Sequence, residues 1–233
     1  MKFAVIPARG GSKRIPMKNI KVFCGKPIIN YPITELLNSN FFDEVIISTD
    51  SEEIANTAKE AGVSWIIKRP KILADDQTTT VPVIRHAVSE IFKKYHNLEA
   101  FEVCCVYPTN PFLDVKDIIA GYQLLIDNPI KDFVIPVTKY PHPIQRAVTI
   151  DSNMTIKMID ESKYLTRTQD LEESYHDCGQ WYWGKSRSWI EDKVLLRNSV
   201  GFIMPKSKVQ DIDTPEDWAA AELLFKLNQG NQI

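Results

Sequence analysis

Residues 3–19 read FAVIPARGGSKRIPMKN and join an apolar run to a loop rich in glycine and positive charge. The apolar run predicts a buried strand. In open parallel sheets, ligands bind in loops at the carboxyl ends of strands. Adjacent glycines let the backbone approach a ligand and turn its N–H groups toward it. The segment therefore predicts an anion-binding loop, with a flexible solvated turn as the alternative.

Apolar runs and helical patterns alternate outward from this loop. Strands are predicted at 2–7, 44–48, 64–68, 102–107 and 133–138, and helices near 29–38, 51–61, 81–95 and 115–127. Runs such as VIIS and VCCVY are apolar without interruption, which indicates a sheet covered on both faces. The alternation predicts an α/β fold, a three-layer α/β/α Rossmann-like sandwich around a mostly parallel sheet.

This alternation breaks at YPHPIQ, which has two prolines in four residues. Residues 147–158 then predict two short strands around an Asp-Ser-Asn turn. The α/β pattern returns with GQWYW and VGFIMP and closes with a helix, for which Thr214 is the N-cap and Pro215 the first residue. The predicted organisation is one α/β domain, residues 1–137 and 175–233, with an inserted excursion at 138–174.

Composition excludes several classes of protein. The chain has 233 residues, 44% hydrophobic and 25% charged, which is ordinary for a globular protein. Its net charge of −2 provides no overall basic field for nucleic acid or an anionic membrane. No apolar run approaches the roughly 18 residues of a membrane span, and no signal-peptide pattern precedes the first strand. We expect a cytoplasmic protein with no membrane or nucleic-acid partner.

A non-catalytic protein that binds nucleic acid through its basic N-terminal segment remains an alternative. Such surfaces interleave aromatic side chains with the cations. No aromatic residue lies between Arg9 and Lys21. This alternative is therefore disfavoured.

Side chains of the glycine-rich loop suit a triphosphate. Ser12 offers a hydroxyl donor, and three cations, Arg9, Lys13 and Lys18, offer forked or mobile positive charge. The loop has neither the Walker A spacing nor G-x-G-x-x-G. A P-loop NTPase and a dinucleotide dehydrogenase are therefore disfavoured.

Two carboxylates near the end of the chain suit a metal ion. Asp211 and Asp213 are two residues apart, so both side chains face the same way in an extended segment. Mg²⁺ usually takes one or two protein carboxylates together with phosphates and water. The alternative is a favourable charge before a helix N-terminus, although Glu216 and Asp217 already occupy the first turn of that helix.

The loop pattern I-P-A-R-G-G-S-K-R-I-P-x-K-N resembles the signature of the acylneuraminate cytidylyltransferases. These enzymes make CMP-activated sialic acids and related nonulosonic acids. Further blocks follow in the order of that family: STDSEEIA (48–55), RPKILADDQTTT (69–80), YPTNP (107–111), HP (142–143) and DIDTPED (211–217). The resemblance spans nearly the whole chain and implies a nucleotidyltransferase fold of the GT-A-like type.

The resemblance also implies a reaction and its residues. The C2 hydroxyl of a 2-keto sugar acid attacks the α-phosphate of CTP, and pyrophosphate leaves. The implied CTP contacts are Ala8, Arg9, Gly11, Ser12, Lys13, Lys18, Asn19, Arg69, Thr78 and Thr80. The implied catalytic residues are Arg9, Lys13, Lys18, Asp211 and Asp213, and the last two would hold Mg²⁺. The excursion implies a homodimer, because the corresponding segment of the family reaches across to a second subunit.

The choice of sugar also follows from the resemblance. Members that activate sialic acid carry QPTSPLR where this chain has YPTNPFL, so a tyrosine, Tyr107, replaces the sugar-contacting glutamine. YHDCGQWYWG (175–184) and FCGKPII (23–29) resemble pseudaminic acid cytidylyltransferases. The expected sugar contacts are Tyr107, Gln145, His176, Asp177 and Gln180. N-acetylneuraminate, legionaminate and 3-deoxy-manno-octulosonate remain alternatives, and packing in the core is the alternative role for the aromatic residues of GQWYW.

Overall fold

The computed structural model describes residues 1–230, so the last three positions of the predicted α/β domain, 231–233, lie outside the described residues. The strands are β1 Lys2–Pro7, β2 Val22–Phe23, β3 Lys26–Pro27, β4 Glu44–Thr49, β5 Trp65–Lys68, β6 Glu102–Val106, β7 Phe133–Lys139, β8 Val148–Ile150, β9 Ile156–Met158, β10 Tyr175–Asp177, β11 Trp181–Lys185 and β12 Ser199–Ile203. The α-helices are α1 Asn30–Asn38, α2 Glu52–Glu60, α3 Thr80–Lys94, α4 Val115–Asp127, α5 Ser186–Ile190 and α6 Pro215–Gly230. Within residues 1–230, none of the helices combines the length and the apolar character that crossing a membrane requires.

Eight strands form the central sheet. β10, β7, β11, β6, β1, β4 and β5 follow one another, and β12 pairs with β7. β1 runs parallel to both of its neighbours, β4 and β6. β11 runs antiparallel to β6 and β7, and β10 runs antiparallel to β7. The predicted mostly parallel sheet is confirmed, with a reversed segment between β6 and β7.

Apolar clusters cover both faces of this sheet. Cys104 belongs to the cluster under α1, α2 and α4, whereas Cys105 belongs to the cluster under α3 and α5. Neighbouring residues of a strand point to opposite faces, so a strand buried on both sides must be apolar throughout. The predicted three-layer α/β/α architecture is confirmed. A third cluster, which includes Ile15, Ile212 and Trp218, packs the glycine-rich loop against the start of α6.

The start of α6 agrees with its predicted cap. The helix begins at Pro215, and the carboxylate of Asp217 accepts hydrogen bonds of 2.8 Å from both the backbone N–H and the hydroxyl of Thr214. The hydroxyl oxygen of Thr214 accepts from the backbone N–H of Asp217 at 3.2 Å. This reciprocal cap fixes the end of the segment that carries Asp211 and Asp213.

The excursion at 138–174 contains the predicted two-stranded hairpin, β8 and β9, which is separate from the central sheet. Its apolar side chains lie at the surface: Ile144, Val148, Ile150, Met154, Ile156, Ile159 and Leu165. A hairpin of two short strands is at best marginally stable by itself. The excursion begins within β7 and ends just before β10, and both of these strands belong to the central sheet. The predicted domain boundaries therefore stay a prediction.

Candidate active site

A cavity of about 240 Å³ opens beside the glycine-rich loop, at the carboxyl ends of β1 and β6. We call it the nucleotide pocket. It is lined by eight of the ten predicted CTP contacts: Arg9, Ser12, Lys13, Lys18, Asn19, Arg69, Thr78 and Thr80. Of the other two, Ala8 is fully buried and Gly11 is exposed. The CTP-binding roles of all ten remain predictions.

Local contacts hold the loop close to the sheet. The side-chain amide of Asn19 donates to the carbonyl of Arg9 at 2.9 Å, and the N–H of Gly10 donates to Asp50 at 3.0 Å. A Cβ added to Gly10 would lie 3.0 Å from the Cβ of Ser51, a separation that real Cβ atoms rarely show. A side chain at position 10 would therefore crowd Ser51, the residue that caps α2.

Cations of the loop are paired with carboxylates of the same chain. Arg9 Nη1 lies 2.7 Å from Asp76, and Lys13 pairs with the second oxygen of that carboxylate. The hydrogen bond and charge of Lys13, with the charge of Arg9, hold the pKa of Asp76 below its usual value. Lys18 lies 3.2 Å from Asp213 and donates to the carbonyl of Ile212 at 2.8 Å. Carboxylates thus occupy the places where phosphates are expected.

Arg69 brings a buried positive charge to the pocket. Its side chain donates to the carbonyl of Ser48 at 2.6 Å and to the Ser48 hydroxyl at 3.3 Å. The residue is only 5% exposed. Burial lowers the pKa of Arg69 to about 10, although the nearby charge of Asp50 opposes this effect. A cation that is poorly solvated in the free protein is well suited to an anionic ligand.

Hydroxyl groups also line the nucleotide pocket. The carboxylate of Asp75 accepts from the backbone N–H and the hydroxyl of Thr78, at 2.7 and 2.6 Å, and these bonds lower the pKa of Asp75. Two residues further on, the hydroxyl of Thr80 is hydrogen-bonded to the hydroxyl of Tyr107. Arg9 also donates to the backbone carbonyl of Asp75 at 2.6 Å, so this cation and the hydroxyl of Thr78 are held by the same acidic turn.

A second pocket, of about 520 Å³, lies next to the first. Its lining includes His176, Cys178 and three carboxylates, those of Asp177, Asp211 and Asp217. Lys139 and Lys206 contribute positive charge. Asp213 lines the nucleotide pocket instead, so the Asp-Ile-Asp segment separates the two cavities.

The five predicted sugar contacts do not converge on one cavity. His176 and Asp177 line the second pocket, whereas Tyr107 lines the nucleotide pocket. Gln180 is buried and donates to the carbonyl of Lys208, and Gln145 donates to the carbonyl of Glu172 in the excursion. Trp181 and Trp183 are fully buried in the cluster under α4, which supports the core alternative for these aromatics. The sugar-binding roles stay predictions.

The residue types at Asp211 and Asp213 fit a divalent cation. Ile212 is buried between them, which leaves both carboxylates at the surface of the pockets. Partial desolvation and the neighbouring charge of Asp213 raise the pKa of Asp211, so a cation here would relieve an electrostatic cost. In residues 1–230, no three His, Cys, Asp or Glu side chains are grouped so that they could hold a metal by themselves. A metal would therefore need further ligands, such as phosphate oxygens.

Sequence reasoning missed two groups at the nucleotide pocket, Arg14 in its lining and Asp76 paired with two of its cations. Asp76 contacts both Arg9 and Lys13, and Arg14 lies 2.8 Å from Asp213. Neither was assigned a role. The only available signal was the pair of adjacent acids before the threonine run of RPKILADDQTTT.

A cavity lined by cations and hydroxyls, with Asp213 on its wall and Asp211 beyond it, provides what transfer of a nucleotide requires. The α/β sheet, with a pocket of this kind at the carboxyl ends of its strands, is consistent with the nucleotidyltransferase class. The sequence model described as cytidylyltransferase matches residues 3–184, and the chain belongs to this family of CTP-dependent enzymes. The family predicted from the sequence is confirmed.

Relatives of known activity cover the chain almost completely. It is 42% identical, over 96% of both sequences, to the pseudaminic acid cytidylyltransferase of Campylobacter jejuni. It is 31% identical, over 97% of both, to the CMP-N,N'-diacetyllegionaminic acid synthase of Legionella pneumophila. The solved structure of CMP:2-keto-3-deoxy-manno-octonic acid synthetase complexed with CTP superimposes with a TM-score of 0.71, at 17% identity, over 97% of this chain and 99% of the other. The last match confirms the fold.

Proposed function

We propose that the protein transfers CMP from CTP to the C2 hydroxyl of pseudaminic acid, giving CMP-pseudaminic acid and pyrophosphate. The observation that carries this proposal is the pair of adjoining pockets divided by the Asp-Ile-Asp segment. One has the cations for a triphosphate, and the other has room for a sugar acid and two lysines, Lys139 and Lys206, beside its carboxylates. The identity of 42% to a pseudaminic acid cytidylyltransferase supports this sugar over its alternatives.

In this proposal the loop cations exchange partners when CTP binds. Arg9 and Lys13 leave Asp76 for phosphate oxygens, and Lys18 neutralises charge near the α-phosphate. Phosphate transfer of this kind needs alignment and charge neutralisation more than covalent chemistry. No histidine is required as a base.

Asp211 and Asp213 would hold a divalent cation, which we propose to be Mg²⁺. Such an ion supplies charge neutralisation at phosphates and can acidify an attacking hydroxyl. Asp213 already contacts Arg14 and Lys18, so it links the metal position to the loop.

The sugar acid would occupy the second pocket. Its carboxylate requires a cation, and Lys139 and Lys206 are available on the pocket wall. Lys139 pairs with Glu173 of the excursion in the free chain, so binding of a sugar acid would compete with that contact. His176 packs against Tyr140, with ring centroids 4.8 Å apart, and closes the side next to the excursion.

We also propose that the protein works as a homodimer in which the excursion contacts a second copy. The exposed apolar side chains of β8 and β9 support this, because such patches mark interaction surfaces. Ile150 and Ile156 are 56% and 65% exposed on paired positions of the hairpin.

Pyrophosphate release tests the reaction. The full chain is incubated with Mg²⁺ and CTP, and pseudaminic, legionaminic, N-acetylneuraminic and 3-deoxy-manno-octulosonic acids are offered in parallel. We expect release with pseudaminic acid at the highest kcat/KM. A higher kcat/KM with another acid would make that acid the preferred substrate and would leave the proposed CMP transfer unchanged. No release with any acid, from protein that binds CTP, contradicts the proposal.

A further inference from the structure

Arg14 is a cation of the glycine-rich loop that the proposed reaction does not use. It lines the nucleotide pocket together with the other cations of the loop. Its Nη2 atom lies 2.8 Å from Oδ2 of Asp213, and within residues 1–230 this is the one ion pair that the side chain makes. Arg14 therefore reaches from the loop to one of the two carboxylates that we propose bind the metal.

Two positively charged side chains occupy both oxygens of the Asp213 carboxylate. Oδ2 faces Arg14, and Oδ1 lies 3.2 Å from Nζ of Lys18. A divalent cation binds carboxylate oxygens directly. On Asp213 such a cation would lie beside two positive charges, and their repulsion opposes its binding. A metal therefore binds well at Asp213 only after one of the two side chains has moved away.

Of these two side chains, Arg14 is the one that can leave more easily. The side chain of Lys18 is only 21% exposed, and its ammonium group also donates to the carbonyl of Ile212 at 2.8 Å. The side chain of Arg14 is 66% exposed. An exposed ion pair is weak, because water competes for both partners. The contact between Arg14 and Asp213 is therefore the one that a metal displaces.

An Arg14 side chain that leaves Asp213 stays at the nucleotide pocket. The next residue, Ile15, is buried and packs in the cluster of Ile212 and Trp218, so the backbone at this point of the loop is held in place. The side chain then has a triphosphate as its alternative partner, since a guanidinium binds phosphate oxygens through paired hydrogen bonds. The metal takes the carboxylate of the ion pair, and the triphosphate takes the guanidinium.

We propose that Arg14 is a displaceable counter-ion that pairs with Asp213 in the free protein and couples binding of the divalent cation to binding of the triphosphate. Whichever ligand binds first breaks the ion pair, so the second ligand binds without that cost. The coupling is reciprocal, as linkage requires. This inference rests on the proposed use of CTP and a divalent cation, and it adds the residue through which each improves the affinity for the other.

Arg14→Met removes the charge and the hydrogen bonds of a mostly exposed side chain, so the fold is retained. With the ion pair gone, Asp213 is open to a cation before any nucleotide binds. We expect Arg14→Met to bind Mn²⁺ alone about two- to fivefold more tightly than the wild type does, which is the range of an exposed ion pair. The EPR signal of free Mn²⁺ measures this affinity without nucleotide, sugar acid or turnover.

CTP binding provides the second readout. Dissociation constants of CTP are measured calorimetrically in EDTA and in saturating Mn²⁺, and their ratio is the gain in CTP affinity that the metal confers. Association of Mn²⁺ with CTP in solution is common to both proteins and cancels from the comparison. We expect Arg14→Met to reduce this gain about two- to fivefold, and to bind CTP in EDTA no more tightly than the wild type does.

A matched control separates the ion pair from a general effect of charge. Lys21→Met removes one positive charge from the same segment, at a side chain that lies over the ring of Trp218. It should change neither the Mn²⁺ affinity nor the gain in CTP affinity. Asp213→Asn, combined with Arg14→Met, should abolish the increase in Mn²⁺ affinity, because the carboxylate that Arg14 covers is then gone.

Unchanged Mn²⁺ affinity in Arg14→Met would overturn the proposal. An equal increase in Lys21→Met would overturn it too, and so would an increase that persists when Asp213→Asn is added. None of these measurements involves the sugar acid. Absence of pyrophosphate release from a protein that shows the Arg14 effect refutes the proposed function alone, whereas normal release with unchanged Mn²⁺ affinity in Arg14→Met refutes only the role of Arg14.

Discussion

The two pockets differ in the parts of the chain that border them. The nucleotide pocket lies on elements of the central sheet, and its cations already have partners at Asp76 and Asp213. The second pocket is bordered by β10 and by the excursion, whose hairpin exposes its apolar side chains. From this difference we expect one chain to bind the nucleotide by itself and the proposed sugar site to depend on what covers the excursion.

The largest effect on activity is expected from substitutions in the Asp-Ile-Asp segment between the two pockets. Asp211→Asn combined with Asp213→Asn removes both of the charges that we propose bind the metal, and we expect Mg²⁺-dependent pyrophosphate release to drop by about 10³-fold or more. Glu216→Gln removes a charge from the neighbouring helix turn and serves as the control. A double variant that retains Mg²⁺-dependent turnover would return both aspartates to a role in capping α6.

Lys18→Ala tests the nucleotide pocket alone. Lys18 bridges the loop to Asp213 and to the carbonyl of Ile212, so we expect kcat/KM for CTP to fall about 10²–10³-fold. Steady-state kinetics at saturating sugar acid measure this. Lys21→Ala, which removes a nearby cation that lies over Trp218, should have little effect. Equal losses in the two variants would mean that only the general positive charge of the segment matters.

Ile150→Lys tests the second pocket and its cover. A charge on the exposed apolar hairpin should convert the proposed dimer to a monomer, raise KM for the sugar acid about tenfold and leave the dissociation constant of CTP unchanged. Light scattering and kinetics at several protein concentrations follow both effects. Asn153→Lys adds the same charge at the hairpin turn and should change neither. A monomeric wild-type protein with full activity would contradict the dimer.

The smallest effect is expected at the cap of α6. Thr214→Ala removes the hydroxyl that bonds Asp217, and we expect about 1 kcal/mol lower stability in urea unfolding. Hydrogen bonds from Thr214 lower the pKa of Asp217 below its ordinary 3.8. The unfolded chain therefore takes up this proton first, so the contribution of Asp217 is full above pH 3.8 and is lost as the pH falls toward the folded pKa. Asp217→Asn should remove this part of the loss of stability at low pH. If the stability of the variant falls with acid as steeply as that of the wild type, the loss arises from other carboxylates.

The sheet could be predicted because its strands are buried on both faces and carry uninterrupted apolar runs, as at β4 and β6. The cap of α6 could be predicted because Thr214, Pro215 and Asp217 are adjacent in sequence and act locally. Loop residues such as Arg9 and Lys18 could be expected to line one pocket for the same reason, since one short segment carries them all, and their roles in binding stay predictions. Local patterns were sufficient wherever the contacts themselves are local.

Contacts between distant segments could not be predicted in this way. Asp76 reaches Arg9 across more than sixty residues, and no spacing rule identifies which carboxylate a loop cation will meet. Gln180 was expected to contact the sugar. In the structure it precedes β11, and its side-chain amide donates to the carbonyl of Lys208. Asp211 and Asp213 were treated as one site, whereas each of them borders a different cavity.

The pairing of Asp76 with Arg9 and Lys13 has a consequence for how binding responds to ionic strength. A loop of free cations would release its counterions into solution when a triphosphate arrives, and its affinity would fall steeply with added salt. Here the outgoing anion is a carboxylate tethered to the protein, so part of the charge exchange stays inside the molecule. CTP binding should therefore weaken less with salt than the number of loop cations implies.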